Sequence, residues 1–126
     1  QTYITQAAPD DAVTGSPGFP MSEADLHAQS AWAFDRGYDA EGINRHVLAV
    51  LNAPDRRAGL AQLALPCQVI HGLEDDWIPP ELGAEIASLI PNCGHHEIAG
   101  MGHVITPKLA PLMVDLVDAF VRRTNG

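Results

Sequence analysis

The sequence predicts a protein of the α/β class whose strands run parallel. After Pro66, two short runs rich in strand-forming residues alternate with two amphipathic stretches of helical period. A glycine closes each of the two predicted strands, at Gly72 and at Gly100. Strands that are separated in sequence by helices usually pair side by side in the same direction. Before Pro66, the pattern predicts helices alone.

Three helices are predicted in the first part of the chain. They span about residues 23–36, 40–53 and 57–63. Ser22 is a favourable N-cap for the first helix and Gly37 stops it, while Asp39 caps the second. The apolar side chains of the second helix recur at helical spacing until Pro54, which ends it.

The second part of the chain is predicted as strand, helix, strand and helix. These elements span about residues 67–71, 81–90, 95–99 and 108–123. In the first of the two helices, the apolar side chains expected on the buried side are Leu82, Ile86, Leu89 and Ile90. In the last helix, the apolar stripe consists of Leu109, Met113, Leu116, Val117 and Phe120. Both helices are therefore expected to pack on a sheet.

Two strands are fewer than a parallel sheet normally contains. Such sheets are covered on both faces and have several strands, and a two-stranded sheet is rarely stable alone. We therefore expect the chain to be the last part of a larger α/β protein. The first residue is Gln1 and not Met, which fits a start inside a longer gene product.

Composition narrows the possible partners and compartment. The chain has 126 residues, of which 46% are hydrophobic and 18% charged, enough for one domain with a core. Its net charge of -9 argues against nucleic acid or an anionic membrane as partner. No apolar run approaches the ~18 residues of a membrane span, and no N-terminal signal is visible. We expect a cytoplasmic protein in which Cys67 and Cys93 are reduced, with a disulfide between them as the alternative.

Two loops carry the residues suited to catalysis. The first follows the first strand and contains Asp75, and the second follows the other strand and contains His103. Since active sites of open α/β sheets form at the carboxyl ends of strands, these side chains are expected to converge. A carboxylate there can accept a hydrogen bond from the imidazole and stabilise its protonated form during catalysis.

The loops and their strands resemble those of a known fold. The segment LPCQVIHGLED at 65–75, followed by Ile78 and Pro79, closely resembles the acid-bearing strand and loop of α/β-hydrolase fold enzymes. The segment IAGMGH at 98–103 resembles their catalytic-histidine loop. Segments at 16–20, 36–39 and 54–57 resemble the helical cap of a bacterial esterase subgroup that includes aclacinomycin methylesterase.

This resemblance implies the C-terminal portion of an α/β-hydrolase, with residues 1–58 in the cap and 59–126 in the core. It assigns the triad acid to Asp75 and the general base to His103, with Asp76 as the competitor for the acid. Glu74 and Asp76 are otherwise expected on the surface of the loop. Trp77 and Val104, which lie beside these residues, are the candidate substrate contacts, and the alternative for Trp77 is that it covers the core. The reaction implied is hydrolysis of a small-molecule carboxylic ester, without a metal or an organic cofactor.

The nucleophile of such a triad is not found in this sequence. The nearest match to Gly-x-Ser-x-Gly surrounds Ser16, but no apolar strand precedes it. Moreover, the backbone N–H after the nucleophile must donate to the oxyanion, and Pro17 has none. The serine is therefore expected in an N-terminal half of the fold, supplied as a partner.

Other interpretations remain open at this point. The chain can be a non-catalytic remnant that acts as an interaction or dimerisation module, with a second copy at its open sheet edge. It can also belong to a C–C hydrolase, a dehalogenase or an acyltransferase, since these enzymes share the fold. His71 is interpreted as a strand-end histidine satisfied by backbone. A metal on His95, His96 and Glu97 is disfavoured, because adjacent strand residues point to opposite faces.

Overall fold

A computed structural model describes residues 15–125 of the chain. Its helices are α1 (Glu23–Arg36), α2 (Ala40–Leu51), α3 (Arg57–Leu60), α4 (Pro80–Leu89) and α5 (Ala110–Asn125). Its strands are β1 (Gln68–Gly72) and β2 (Gly94–Ile98), and the order along the chain is α1, α2, α3, β1, α4, β2, α5. The predicted element order is confirmed. Residues 1–14, which belong to the predicted cap, and residue 126 lie outside the described residues.

The ends of the first helices follow their capping residues, with two corrections. Ser22 caps α1 by accepting the N–H of Asp25 at 3.1 Å, and Gly37 ends the helix. Asp39 precedes α2 as expected, but its carboxylate makes no capping bond and instead pairs with Arg45 at 2.9 Å.

Helices α2 and α3 both end before the positions predicted for their C-termini. Helix α2 already ends at Leu51, before the residues restricted by Pro54, and α3 forms one turn where 57–63 was predicted.

The two strands form a parallel pair, as the sequence predicted. Their register places Gln68 beside Gly94 and Gly72 beside Ile98, so both strands end at the same edge. Helix α4 connects them and packs against both strands. The loops that follow Gly72 and Ile98 therefore begin next to each other.

A small core lies where the sheet meets the start of α5. Its buried members are Ile98, Met101 and Leu109, and Leu109 is completely inaccessible to solvent. Partly buried apolar side chains pack around these three, namely Phe19, Ile70, Met113 and Leu116. The core thus unites the second strand, the loop after it, the last helix and the segment before α1.

Much of the predicted apolar surface is not covered. Leu82 and Ile86 of α4 are 46% and 41% exposed, so the prediction that both lie on a buried face was wrong. Val117 of α5 is 49% exposed, and α2 contains no buried residue. Two strands and their helices offer too little surface to cover these faces. Within residues 15–125, no helix has the length and apolar character needed to traverse a membrane.

Candidate active site

An aspartate and a histidine meet above the carboxyl ends of the two strands. His103 Nδ1 lies 2.9 Å from Asp75 Oδ2, which is the distance of a charge-assisted hydrogen bond. The Asp75 residue is only 6% exposed, whereas the His103 side chain is 36% exposed. The pair therefore combines a buried acid with an imidazole that solvent and other molecules can reach.

The backbone of its own loop holds the Asp75 carboxylate. Its Oδ1 atom accepts the N–H groups of Trp77 at 3.0 Å and Ile78 at 2.8 Å. Burial by itself raises the pKa of Asp75, but the hydrogen bonds from Ile78, His103 and Trp77 and the charge of His103 outweigh it. The pKa of Asp75 is lowered as a result, and the carboxylate is ionised at neutral pH.

An ionised carboxylate fixes which nitrogen of His103 carries the hydrogen. Because the carboxylate can only accept, the hydrogen of the 2.9 Å bond belongs to Nδ1. The lone pair of a neutral imidazole is then on Nε2, and Nε2 makes no hydrogen bond within residues 15–125. This nitrogen is therefore available to accept a proton from another group.

Trp77 lies beside the imidazole of this pair. The two ring centroids are 4.7 Å apart and their planes are inclined by 55°. Trp77 is 60% exposed, so most of its indole faces solvent. Val104, the other residue proposed as a substrate contact, is half-buried, and its carbonyl accepts a hydrogen bond from Ser16.

His71 is a second imidazole near the same carboxylate. Its Nε2–H donates to the carbonyl of Ile78 at 2.9 Å, as expected for a strand-end histidine satisfied by backbone. The same nitrogen lies 3.5 Å from Asp75 Oδ2, a proximity that the sequence did not indicate. The ring packs on helix α4, where any Cβ on Gly83 would overlap it. His71 thus connects the acid loop to α4.

Glu74 ties the acid loop to the histidine loop. Its Oε2 atom accepts the N–H of Gly100 at 2.6 Å, and its own N–H donates to the carbonyl of Met101 at 3.0 Å. From the sequence, Glu74 was interpreted as a surface residue. The side chain is exposed, yet it links the loops, and no local pattern indicates that contact. Asp76 is exposed, as expected.

Ser16 is buried against the histidine loop. Only 3% of the residue is exposed. Its hydroxyl donates to the carbonyl of Val104 at 2.7 Å and accepts the N–H of Gly102 at 3.0 Å. The hydroxyl hydrogen is therefore used in a bond to a backbone carbonyl. The local sequence argues against Ser16 as nucleophile, but no pattern in it indicates this contact.

Further polar residues and cavities lie away from this pair in the described part of the chain. Cys67 and Cys93 are free and half-buried. On β2, His95 and Glu97 are exposed and His96 is half-buried, and in the described part no group of three or more potential ligands is placed to hold a metal. A cavity of about 380 Å³ lies between α1 and the loop at 105–107, and neither Asp75 nor His103 lines it.

Comparison with known proteins identifies the fold. No protein-family model matches the sequence. Among solved structures, a bromoperoxidase from Bacillus anthracis is similar, with a TM-score of 0.70 and 22% sequence identity. The match covers 96% of this chain and 47% of the bromoperoxidase chain, so the chain spans about half of that protein's length. Its architecture is that of the C-terminal part of an α/β-hydrolase fold, as the sequence predicted.

Proposed function

We propose that the chain supplies the acid and the general base of a carboxylic ester hydrolase with a Ser-His-Asp triad. The observation that carries the proposal is the 2.9 Å contact between buried Asp75 and half-exposed His103, at the carboxyl ends of adjacent parallel strands. Nε2 of the imidazole makes no hydrogen bond within residues 15–125, so it could accept the proton of a nucleophile.

In the proposed reaction, His103 Nε2 takes the proton of a serine hydroxyl while the serine oxygen attacks the ester carbonyl. The negative charge of Asp75 stabilises the imidazolium that forms. His103 then returns the proton to the leaving alcohol, and an acyl-serine remains. In the second half, His103 deprotonates water, which attacks the acyl group, and serine regains its proton as the carboxylic acid leaves. No step requires a metal or an organic cofactor.

The esterase assignment is supported by the cap-like segments of the first half. We place the cap at residues 1–58 and the hydrolase core at residues 59–126. Helices α1 and α2 bury no residue of their own, as expected of cap elements that cover a pocket completed by other parts of the protein. Trp77, whose exposed ring lies against His103, and Val104 are the proposed contacts for a small-molecule ester.

The serine and the oxyanion donors would come from an N-terminal half of the same fold. The uncovered apolar faces of α4 and α5 support this, since a parallel sheet with further strands would offer the surface on which such helices pack. The length of the bromoperoxidase, of which this chain matches 47%, leaves room for such a half. We use the term completed protein for this chain together with the polypeptide that supplies that half.

A second candidate function is a dimerisation module without catalysis. The same uncovered faces, with the two open edges of the sheet formed within residues 15–125, would suit a second copy of the chain. A module of this kind has no need of a buried carboxylate that orients an accessible imidazole, which is why we favour the hydrolase. Other enzymes of the fold, such as dehalogenases and acyltransferases, would differ in the half that supplies the nucleophile.

The test is acylation of the completed protein by an activated ester such as p-nitrophenyl acetate. Stopped-flow absorbance should show a burst of p-nitrophenol, and mass spectrometry should find one acetyl group per protein. His103→Gln should lower turnover on the order of 10⁶-fold, as for triad histidines elsewhere. His95→Gln replaces an exposed histidine of β2 and should stay within about twofold of the unchanged protein. Turnover that survives His103→Gln would exclude the proposed mechanism.

A further inference from the structure

The backbone on both sides of His103 is held by one buried hydroxyl. Ser16 Oγ donates to the carbonyl of Val104, which follows the histidine, and accepts the N–H of Gly102, which precedes it. The distances are 2.7 Å and 3.0 Å. A serine hydroxyl has one hydrogen to donate, so these bonds use its donor and one of its acceptor sites.

The segment that carries Ser16 is itself anchored to the same loop. The N–H of Gly18 donates to the carbonyl of Gly100 at 2.8 Å, and the N–H of Phe19 closes a tight turn on the carbonyl of Ser16 at 2.9 Å. Phe19 packs against the core. The segment approaches the loop so closely that a Cβ on Gly102 would overlap the carbonyl oxygen of Gly15.

We infer that Ser16 is a positioning residue that sets the orientation of the His103 imidazole, an inference that rests on the proposed function. Without the hydroxyl, the N–H of Gly102 and the carbonyl of Val104 would lose their buried partner, and the loop would have to move to regain hydrogen bonds. The imidazole is attached between these two groups and would move with them. A displacement of about 1 Å in a catalytic group can cost on the order of 10²-fold in rate.

The kinetic test compares three variants of the completed protein on one ester. Ser16→Ala should lower kcat on the order of 10²-fold while KM changes less than about twofold. Ser16→Thr keeps the hydroxyl and should recover most of the rate. Ser88→Ala removes an exposed hydroxyl that donates to the carbonyl of Glu85 in α4, and it should leave kcat unchanged. Equal kcat for Ser16→Ala and the unchanged protein would overturn the inference.

The second readout does not depend on activity. Nitrogen-15 NMR of the His103 imidazole reports which nitrogen carries the hydrogen, and Ser16→Ala should shift both ring-nitrogen signals and weaken the Nδ1–H signal. Signals unchanged from those of the unaltered protein, even with a lower melting temperature, would show a merely structural role and refute the inference. If Ser16→Ala does not fold, Ser16→Cys, which keeps a weak donor and acceptor, should show the same shifts at smaller size.

The two readouts separate the inference from the proposed function. If the completed protein hydrolyses no ester but Ser16→Ala alters the imidazole signals, the proposed function fails and the positioning of His103 by Ser16 stands. If the ester is hydrolysed and neither kcat nor the NMR signals respond to Ser16→Ala, the positioning role fails and the hydrolase stands.

Discussion

Replacing Asp75 by asparagine in the completed protein tests the acid of the proposed triad most directly. The substitution preserves size and removes the charge. Asparagine can still accept the N–H groups of Trp77 and Ile78 through its carbonyl oxygen, so the loop should keep its shape. Its NH₂ group would then face His103 Nδ1, where the carboxylate oxygen now lies at 2.9 Å.

The size of the effect follows from that reversal of the hydrogen bond. An NH₂ group donates, so Nδ1 of His103 would have to accept and the ring hydrogen would move to Nε2. The imidazole could no longer take a proton from serine, and the imidazolium would lose its counter-charge. We expect kcat to fall on the order of 10⁴-fold, as in triads with this substitution. That factor corresponds to about 5 kcal/mol of transition-state stabilisation.

Asp76→Asn is the matched control, because it makes the same chemical change on the neighbouring exposed residue. We expect its kcat to stay within about twofold, since solvent screens a surface carboxylate. Both variants are assayed on one ester at one pH, after circular dichroism has shown that they are folded. If Asp76→Asn lowers kcat severely and Asp75→Asn lowers it only mildly, the acid of the triad is Asp76 and not Asp75. If neither variant loses activity, the triad itself is wrong.

Four further outcomes are expected. Without the completing half, the chain should show no acylation burst with an activated ester, and stoichiometric labelling of Ser16 by an organophosphonate would contradict its buried, hydrogen-bonded position. Alone, the chain should self-associate or lack a cooperative unfolding transition, because its apolar faces are uncovered. Analytical ultracentrifugation and calorimetry test this, and a monomer that unfolds in a sharp transition would contradict it. Because folding lowers the pKa of Asp75 from 3.8, the stability that this carboxylate contributes is present above about pH 4 and is lost as the pH falls through the folded value. Urea midpoints of the completed protein should thus fall more steeply below pH 4 than those of Asp75→Asn, and equal slopes would argue against the shift. Gly83→Ala should destabilise the completed protein by roughly 1–3 kcal/mol, because the added Cβ overlaps the ring of His71. Gly59→Ala is the control and should not destabilise it, because nothing lies within 4 Å of the added Cβ. If the melting curves of the two variants coincide, the packing of His71 on Gly83 is disproved.

The sequence predicted well those features that depend on neighbouring residues. The ends of α1 follow from two residues. The side chain of Ser22 caps its first turn, and the conformational freedom of Gly37 ends its last turn. The meeting of Asp75 and His103 was predicted from a general rule, because loops after adjacent parallel strands share one edge of the sheet. The contact between Asp75 and His103 could therefore be inferred although the two residues lie far apart in the sequence.

The features that the sequence did not predict depend on what covers a surface or on contacts between remote segments. Helical spacing shows that Leu82 and Ile86 share a side, but it cannot show whether a further layer covers that side. The bond from Gly100 to Glu74 joins residues 26 positions apart, and that from Gly102 to Ser16 joins residues 86 apart. Such bonds leave no periodic pattern in the sequence.

The contact of Ser16 with the histidine loop determines where this polypeptide can be cut. A fragment that started at Met21 would keep each helix and strand of the described chain, together with Asp75 and His103. It would lose the hydroxyl of Ser16, which lies 88 positions before Val104. The histidine loop would then contact solvent in place of that hydroxyl, and its bonds with Glu74 would remain. Secondary structure is therefore a poor guide to the minimal unit for expression or for splitting the protein. The boundary must be placed before Gly15, although residues 15–22 contain no helix or strand.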